Sequence, residues 1–147
     1  MIFGKVVKKP YTAFNVEATD DFLVSENYKA FCDAAFIAHK TGNTKFFKKL
    51  SDVELVVLYV SCYLHEDYPL TAAYDDCVFN ALSGRKHDKA LMLSGNELLM
   101  DNLDADSIVW AFERRFPQNE EPLSLDEKRE KVKKVMADSI KKGFAEK

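Results

Sequence analysis

The amino-acid sequence predicts a mainly α-helical protein: a single compact bundle of about six helices with a small β or extended element at its N-terminus. Apolar residues repeat at helical spacing through most of the chain, and capping signals precede several of these stretches. Only five Gly and four Pro interrupt the 147 residues, so regular structure should dominate. A chain of this length is typical of one domain, to which we assign residues 1–147.

Residues 1–16 form the predicted β or extended element. The segments 2–7 and 11–16 are rich in β-branched and aromatic residues, and Pro10 restricts the second segment to a sheet edge or a strand start. Because an isolated hairpin is only marginally stable, we expect this element to pack on the helices or to pair with a third strand. Residues 90–93 are the candidate for that strand.

Residues 25–116 form the predicted helical core, whose central helix begins at Ser51. Ser51 and Glu54 have the spacing of a capping box, in which each side chain accepts the backbone N–H of the other residue. The residues that follow leave almost no polar face, which is typical of a helix in an apolar interior. Because about 13 residues are too few to span a bilayer, that interior is the core of the protein. The side chains expected to be buried are Leu55, Leu58, Tyr59 and Cys62.

Caps and breakers predict the other helix boundaries. Ser25 is the predicted N-cap of the first core helix, Gly42 ends that helix, and residues 44–49 form a connector or a single helical turn. The capping-box spacing recurs at Ser94 and Ser124, which predicts two further helix starts. Further boundary signals are Pro69 at a helix start, Asp104 or Asp106 at an N-cap and Pro117 at a helix end.

Residues 124–145 form the predicted C-terminal amphipathic helix, with one apolar side and with Lys and Glu elsewhere. The sequence leaves open whether this helix docks on the core or projects towards a partner.

The three cysteines, Cys32, Cys62 and Cys77, are an odd number at unpatterned spacings, each among apolar neighbours. This pattern predicts buried, reduced thiols in a cytoplasmic protein rather than a disulfide framework. No segment resembles a signal peptide, and we predict no association with a membrane.

A zinc site is one alternative for the sulfur and imidazole groups. Cys62 and His65 lie one helical turn apart, and Cys77 and His87 would have to complete the set. That second pair is ten residues apart, whereas structural zinc sites usually have two closely spaced ligand pairs. Core packing of Cys62 and a helix C-terminal position for His65 explain both residues without a metal. We predict no metal and no cofactor.

No residue set indicates catalysis. The cysteines lack the polar surroundings that activate a thiol nucleophile, and the sequence contains no nucleophile elbow, P-loop or dinucleotide-binding motif. Adjacent carboxylates such as Asp75 and Asp76 point in different directions on a helix and are typical of a solvated surface. We predict that the protein is not an enzyme; a small enzyme without a recognisable motif is the second alternative.

The net charge of −3 hides an uneven distribution. Residues 1–50 carry 8 basic and 5 acidic side chains, residues 51–122 carry 5 and 14, and residues 123–147 carry 8 and 5. An acidic central surface favours a partner protein with a basic surface. The candidate partner-binding residues are Glu97, Asp101, Asp104 and Asp106. Aromatic anchors for such a contact, where exposed, are Trp110, Tyr59, Tyr63 and the Phe46–Phe47 pair, most of which we expect in the core.

The predicted function is that of a non-catalytic cytoplasmic adaptor, assembly factor or inhibitor that binds another protein, such as an accessory protein of a bacterium or a phage. The sequence leaves a homo-oligomer open. The first alternative is a nucleic-acid-associated protein that uses the basic-aromatic region 40–49, where aromatic rings among lysines are able to stack on bases. The residues concerned are Lys45, Phe46, Lys48 and Lys49. An isoelectric point near 5.6 weighs against contact with a long nucleic acid.

Overall fold

The computed structural model describes residues 11–64 and 72–143. Within these ranges the chain forms eight α-helices and one 3-10 turn, Ala72–Tyr74, but no strand. The helices are α1 (Asp20–Leu23), α2 (Glu26–Lys40), α3 (Thr44–Lys49), α4 (Asp52–Leu64), α5 (Asp75–Ser83), α6 (Asp88–Asn102), α7 (Ala105–Arg115) and α8 (Leu125–Gly143). The mainly helical fold is confirmed, but the count of about six is exceeded because short helices such as α1 add to the longer ones.

The central helix α4 lies in the middle of the core and packs against α5 and α6. Its capping box forms as predicted, since the N–H of Glu54 donates to Ser51 Oγ at 3.1 Å and the N–H of Ser51 donates to Glu54 Oε1 at 2.8 Å. The predicted burial is also confirmed: no more than 3% of the surface remains exposed in any of Leu55, Leu58, Tyr59 and Cys62. None of the helices in the described ranges has both the length and the apolar character needed to cross a membrane.

Residues 11–16, predicted to be a strand or an extended segment, form no strand, so the β alternative is not confirmed. Residues 11–14 form bends and a turn, and Asn15 adopts a left-handed conformation with φ of 54°. The backbone N–H groups of Tyr11 and Thr12 each donate to the carboxylate of Glu54 at 2.9 Å, so a buried side chain takes the place of a neighbouring strand. The first predicted strand segment, residues 2–7, lies outside the described residues.

Helix α6 corrects two further predictions. Residues 90–93 belong to this helix rather than to a third strand, and Ser94 lies within the helix rather than at its start. A glycine is required at position 95, inside α6, because a Cβ at this position would lie 2.5 Å from Cδ2 of the buried Tyr59. The glycine therefore allows α6 to pass close to α4, and burial of Leu91 and Met92 secures the helix upstream.

The other predicted boundaries are mostly confirmed. Ser25 caps α2 by accepting the N–H of Tyr28 at 3.1 Å, and Asp104 caps α7 by accepting the N–H of Ser107 at 2.8 Å. Helix α7 ends at Arg115, shortly before Pro117. The predicted helix start at Pro69 lies outside the described residues.

The C-terminal helix α8 docks on the core, where it packs against α6 and α7. The capping box at Ser124 forms, with 2.9 Å between the N of Ser124 and Glu127 Oε1 and 3.1 Å for the reciprocal bond. Val132 and Ile140 are buried, and Nε of Arg129 donates to the carbonyl of Met100 near the end of α6 at 3.0 Å. These contacts decide the question left open by the sequence in favour of docking.

Candidate functional site

A wide groove, here called the Trp110 groove, is lined by the C-terminal end of α4 together with residues of α6, α7 and α8. Its volume is about 1110 Å³, above the roughly 300–1,000 Å³ of ordinary small-molecule pockets. The lining combines the buried Leu99 and Met100 with the exposed Tyr63 and Trp110. The groove therefore combines buried apolar side chains with exposed aromatic ones.

Trp110 is the most conspicuous side chain of the groove. Its exposed fraction is 61%, and the exposed fraction of Tyr63 is 40%. The guanidinium carbon of Arg114 lies 4.9 Å from the ring centroid of Trp110, a cation–π arrangement that holds both side chains at the surface. Trp, Tyr and Arg are the residue types most enriched among the energetically dominant positions of protein interfaces.

The amphipathic pattern of α7 explains this exposure. Ile108, Ala111 and Phe112 are buried and bring one side of the helix against the core. Trp110 follows Ile108 by two residues, which at 100° per residue places its side chain on the opposite side of the helix. Trp110 was one of several aromatic anchors that the sequence allowed. The position of the apolar stripe on α7 is the signal that distinguishes Trp110 from the others. Of the other anchors, Tyr59 and Phe47 are buried.

Three of the four predicted acidic residues lie around the junction between α6 and α7. Asp101, Asp104 and Asp106 are exposed, and Asp104 also lines the Trp110 groove. Hydrogen bonds from the backbone and side chain of Ser107 lower the pKa of Asp104, so this carboxylate stays ionised down to more acidic pH than usual. Asp104 is the N-cap and Asp106 lies in the first turn of α7, where a negative charge is favourable.

The fourth acidic residue, Glu97, lies in a different setting. It lines a second groove, of about 540 Å³, between α6 and α8, together with Lys133, Lys134 and Lys141. Asn96 lies in the same groove and donates from Nδ2 to the carbonyl of Lys133 at 3.2 Å, while its buried Oδ1 has no hydrogen-bond partner among the described residues. Glu97 thus shares a groove with three lysines and with Glu130, and the predicted acidic surface is centred on the α6–α7 junction rather than on all four residues.

The basic-aromatic region forms the helix α3. Lys45, Lys48 and Lys49 are exposed, whereas Phe47 is buried and Phe46 is half-buried. The ring of Phe46 packs edge-on against Phe47 and Tyr11, at centroid distances of 5.2 and 6.2 Å. The rings therefore serve the core, while the lysines remain in solvent.

The thiols lie in surroundings that suppress their reactivity. Burial raises the pKa of both Cys32 and Cys62, so neither is ionised near neutral pH. Cys77 Sγ lies 3.8 Å from Nδ1 of the exposed His39, a pairing that the sequence analysis missed because the two residues are 38 positions apart. Partial burial and the neighbouring Asp76 and Asp75 raise the pKa of Cys77, which opposes thiolate formation.

In residues 11–64 and 72–143, no group of three or more His, Cys, Asp or Glu side chains is close enough together to hold a metal ion. His65, one member of the zinc alternative, lies outside these ranges.

Comparisons with protein-family models, with curated proteins and with solved structures find no match to this chain. The geometry of the Trp110 groove and the charge around it are consequently the basis for the function proposed below.

Proposed function

We propose that this chain is a non-catalytic cytoplasmic protein that binds another protein, as an adaptor, assembly factor or inhibitor. The contact surface is the α6–α7 junction with the adjoining Trp110 groove. The observation that carries the proposal is the exposure of Trp110, 61% of whose surface is in solvent beside a groove with an apolar lining. Exposed apolar surface next to a polar rim is characteristic of interaction sites.

Electrostatics favour a partner with a basic surface. Asp101, Asp104 and Asp106 are exposed together at the junction, within a block of the sequence that carries 14 acidic and 5 basic residues. Charges of this kind at the edge of an interface mainly raise the association rate and its salt dependence. Trp110 and Tyr63, at the centre, would supply the affinity by being desolvated.

The state of the thiols supports a non-catalytic role in a reducing compartment. The raised pKa values of Cys32 and Cys62 are typical of inert core thiols rather than of nucleophiles. A bacterial or phage accessory protein fits this description.

The proposal is tested by cross-linking the tagged protein to whatever binds it, identifying the partner, and measuring the binding kinetics with purified components. We expect Trp110→Ala to raise the dissociation rate at least about tenfold, since aromatic anchors control residence time. The combined change Asp101→Asn and Asp104→Asn should slow association chiefly at low salt. Asn caps helices about as well as Asp, so the melting temperature should be preserved.

The matched control is Lys29→Gln on α2, an exposed residue distant in sequence from the junction. Binding kinetics unchanged in both site variants, with folding intact, would contradict the proposal. Tight binding of mixed-sequence RNA or DNA, lost with the charges of Lys45, Lys48 and Lys49 and falling steeply with salt, would favour the nucleic-acid alternative.

A further inference from the structure

We propose that this chain forms a two-fold symmetric homodimer in which the α7 helices of two copies pack antiparallel, with the two Trp110 side chains at the centre. The pairing occupies Trp110 and the Trp110 groove, so it excludes the partner contact proposed above while it persists, but it uses neither Glu97 nor Asp101.

The exposed stripe of α7 has a symmetric arrangement about Trp110. Helix α7 spans Ala105–Arg115, so Trp110 is its middle residue. Asp106 lies four residues before Trp110 and Arg114 four residues after it, which places all three on one side of the helix. Both charged residues are exposed.

Antiparallel packing makes this stripe complementary to itself. A two-fold axis at Trp110 brings residues at equal separations before and after it opposite one another. Asp106 of each copy then faces Arg114 of the other copy, and the ion pair forms twice. Glu113 falls opposite Ser107, whose hydroxyl is able to donate to a carboxylate. Self-complementarity is the condition that an isologous interface must meet.

The ends of the helix follow the same order. Asp104 lies at the N-terminal end of α7 and Arg115 at the C-terminal end, so the terminal charges have the same order as Asp106 and Arg114, although Glu113 is an acidic residue that follows Trp110. An antiparallel neighbour presents its basic end to the acidic end, and the two helix dipoles are also opposed favourably.

The apolar part of the contact comes from Trp110 and the groove beside it. An indole side chain buries about 150–250 Å² when it is fully enclosed. The Trp110 groove, lined also by Tyr63, Leu64 and Met136, has a volume of about 1110 Å³ and is able to receive the Trp110 of a second copy. Each copy thus offers both a protruding aromatic side chain and a groove next to it.

A second copy fits this surface better than a partner of one charge. A basic protein centred on the α6–α7 junction would pair with Asp101, Asp104 and Asp106 but not with Arg114, whereas a second copy pairs with both charged residues of the stripe. Phosphates of a nucleic acid would meet Arg114 but would be repelled by Asp101, Asp104 and Asp106 nearby in the sequence. Only a surface that carries both charges in the opposite order pairs with Asp106 and Arg114 at once.

The test is sedimentation velocity of the full chain over a concentration range, combined with charge reversal. Wild-type protein should move from the monomer mass of 16.8 kDa towards twice that mass as its concentration rises. Asp106→Arg and Arg114→Asp should each weaken self-association at least about tenfold, because like charges then meet twice in the interface. An equimolar mixture of the two variants should restore association, since a heterodimer regains both opposite-charge pairs.

Matched controls keep the result interpretable. Asp33→Arg and Lys29→Asp reverse the same charges at exposed positions four residues apart on α2 and should leave self-association unchanged. Circular dichroism melting checks that each variant is folded. If a reversal unfolds the chain, the milder Asp106→Asn and Arg114→Gln, together with Trp110→Ala, replace it and should weaken association.

Three results would overturn the proposal. One is a wild-type protein that remains monomeric at concentrations on the order of 1 mM, where even millimolar affinity populates a dimer. The second is self-association that Trp110→Ala leaves at the wild-type level. The third is a mixture of folded charge-reversal variants that associates no better than each variant alone. Failure to find the basic partner proposed above has no bearing on any of these measurements.

Discussion

Glu54→Gln is the substitution that tests the architecture most directly. Glu54 is fully buried, yet within residues 11–64 and 72–143 no basic side chain forms an ion pair with its carboxylate. Its two carboxylate oxygens instead accept four hydrogen bonds: Oε1 from the N–H groups of Ser51 and Tyr11, and Oε2 from the N–H and the hydroxyl of Thr12. One side chain therefore caps α4 and fastens the N-terminal segment to it.

The expected loss follows from counting donors. Glutamine has the same shape, but its amide nitrogen accepts no hydrogen bond and would face two donors on one side. The hydroxyl of Thr12 is able to rotate away, so at least one partly buried N–H remains unpaired, at about 1–3 kcal/mol. The remaining bonds also lose the strength that a charged acceptor provides. We expect the free energy of unfolding to fall by about 2–4 kcal/mol.

Urea denaturation followed by far-ultraviolet circular dichroism measures this change. Glu127→Gln is the matched control, because Glu127 has the same capping-box position in α8 but is exposed and bonds only to its own box. We expect a much smaller loss for the control. Equal losses for the two variants would refute the reasoning, since the multiple bonds of Glu54 would then contribute nothing beyond an ordinary cap.

The pH dependence provides a second readout of the same group. Burial alone would raise the pKa of Glu54, but the hydrogen bonds from Thr12, Ser51 and Tyr11 outweigh it and lower the pKa below its usual value. The unfolded chain therefore binds the proton first as the pH falls. The stabilisation is fully present above the unfolded pKa, near 4.3, and is lost as the pH drops through the folded pKa. The difference in stability between wild type and Glu54→Gln should shrink below about pH 4.

Two other substitutions test the packing of the core in the same denaturation assay. Gly95→Ala would place a Cβ 2.5 Å from Tyr59 Cδ2, so we expect the free energy of unfolding to fall by about 1–3 kcal/mol despite the higher helix propensity of Ala. In the control Gly84→Ala, the new Cβ would meet a carbonyl oxygen at 3.9 Å, and the change should be nearly neutral. Equal effects of the two substitutions would contradict the close crossing of α6 and α4. Leu58→Ala should cost about 2–5 kcal/mol because Leu58 is fully buried, and unchanged unfolding midpoints would show that α4 is peripheral.

The capping signals show how far local sequence carries a prediction. The boxes at Ser51 and Ser124 form, but the same spacing at Ser94 occurs inside a helix. The difference lies in the tertiary structure: a close crossing with Tyr59 requires Gly95, and the crossing is invisible in the sequence of α6 alone. Residues 11–16 form no strand for a related reason, because backbone donors of this segment are bound by a residue 42 or 43 positions away.

The candidate site was predictable in part. The sequence indicated an acidic central surface, and the structure shows that Asp101, Asp104 and Asp106 are exposed. It did not indicate that Glu97 faces the lysines of α8, because the docking of α8 brings together residues more than 30 positions apart. Trp110 was harder to assign, since a lone tryptophan is compatible with a core until the buried side of its helix is known.

The stability of α7 makes its exposed side suitable for both proposed contacts. Asp104 caps one end of the helix, a side chain–backbone bond from Arg115 to Ala111 supports the other at 3.1 Å, and burial of Ile108 and Phe112 holds the opposite side against the core. Trp110 therefore protrudes from a helix whose conformation does not depend on it. Because little ordering is needed on association, less binding free energy is lost to conformational entropy. For the same reason, substitutions on the exposed stripe should change association while leaving the fold intact.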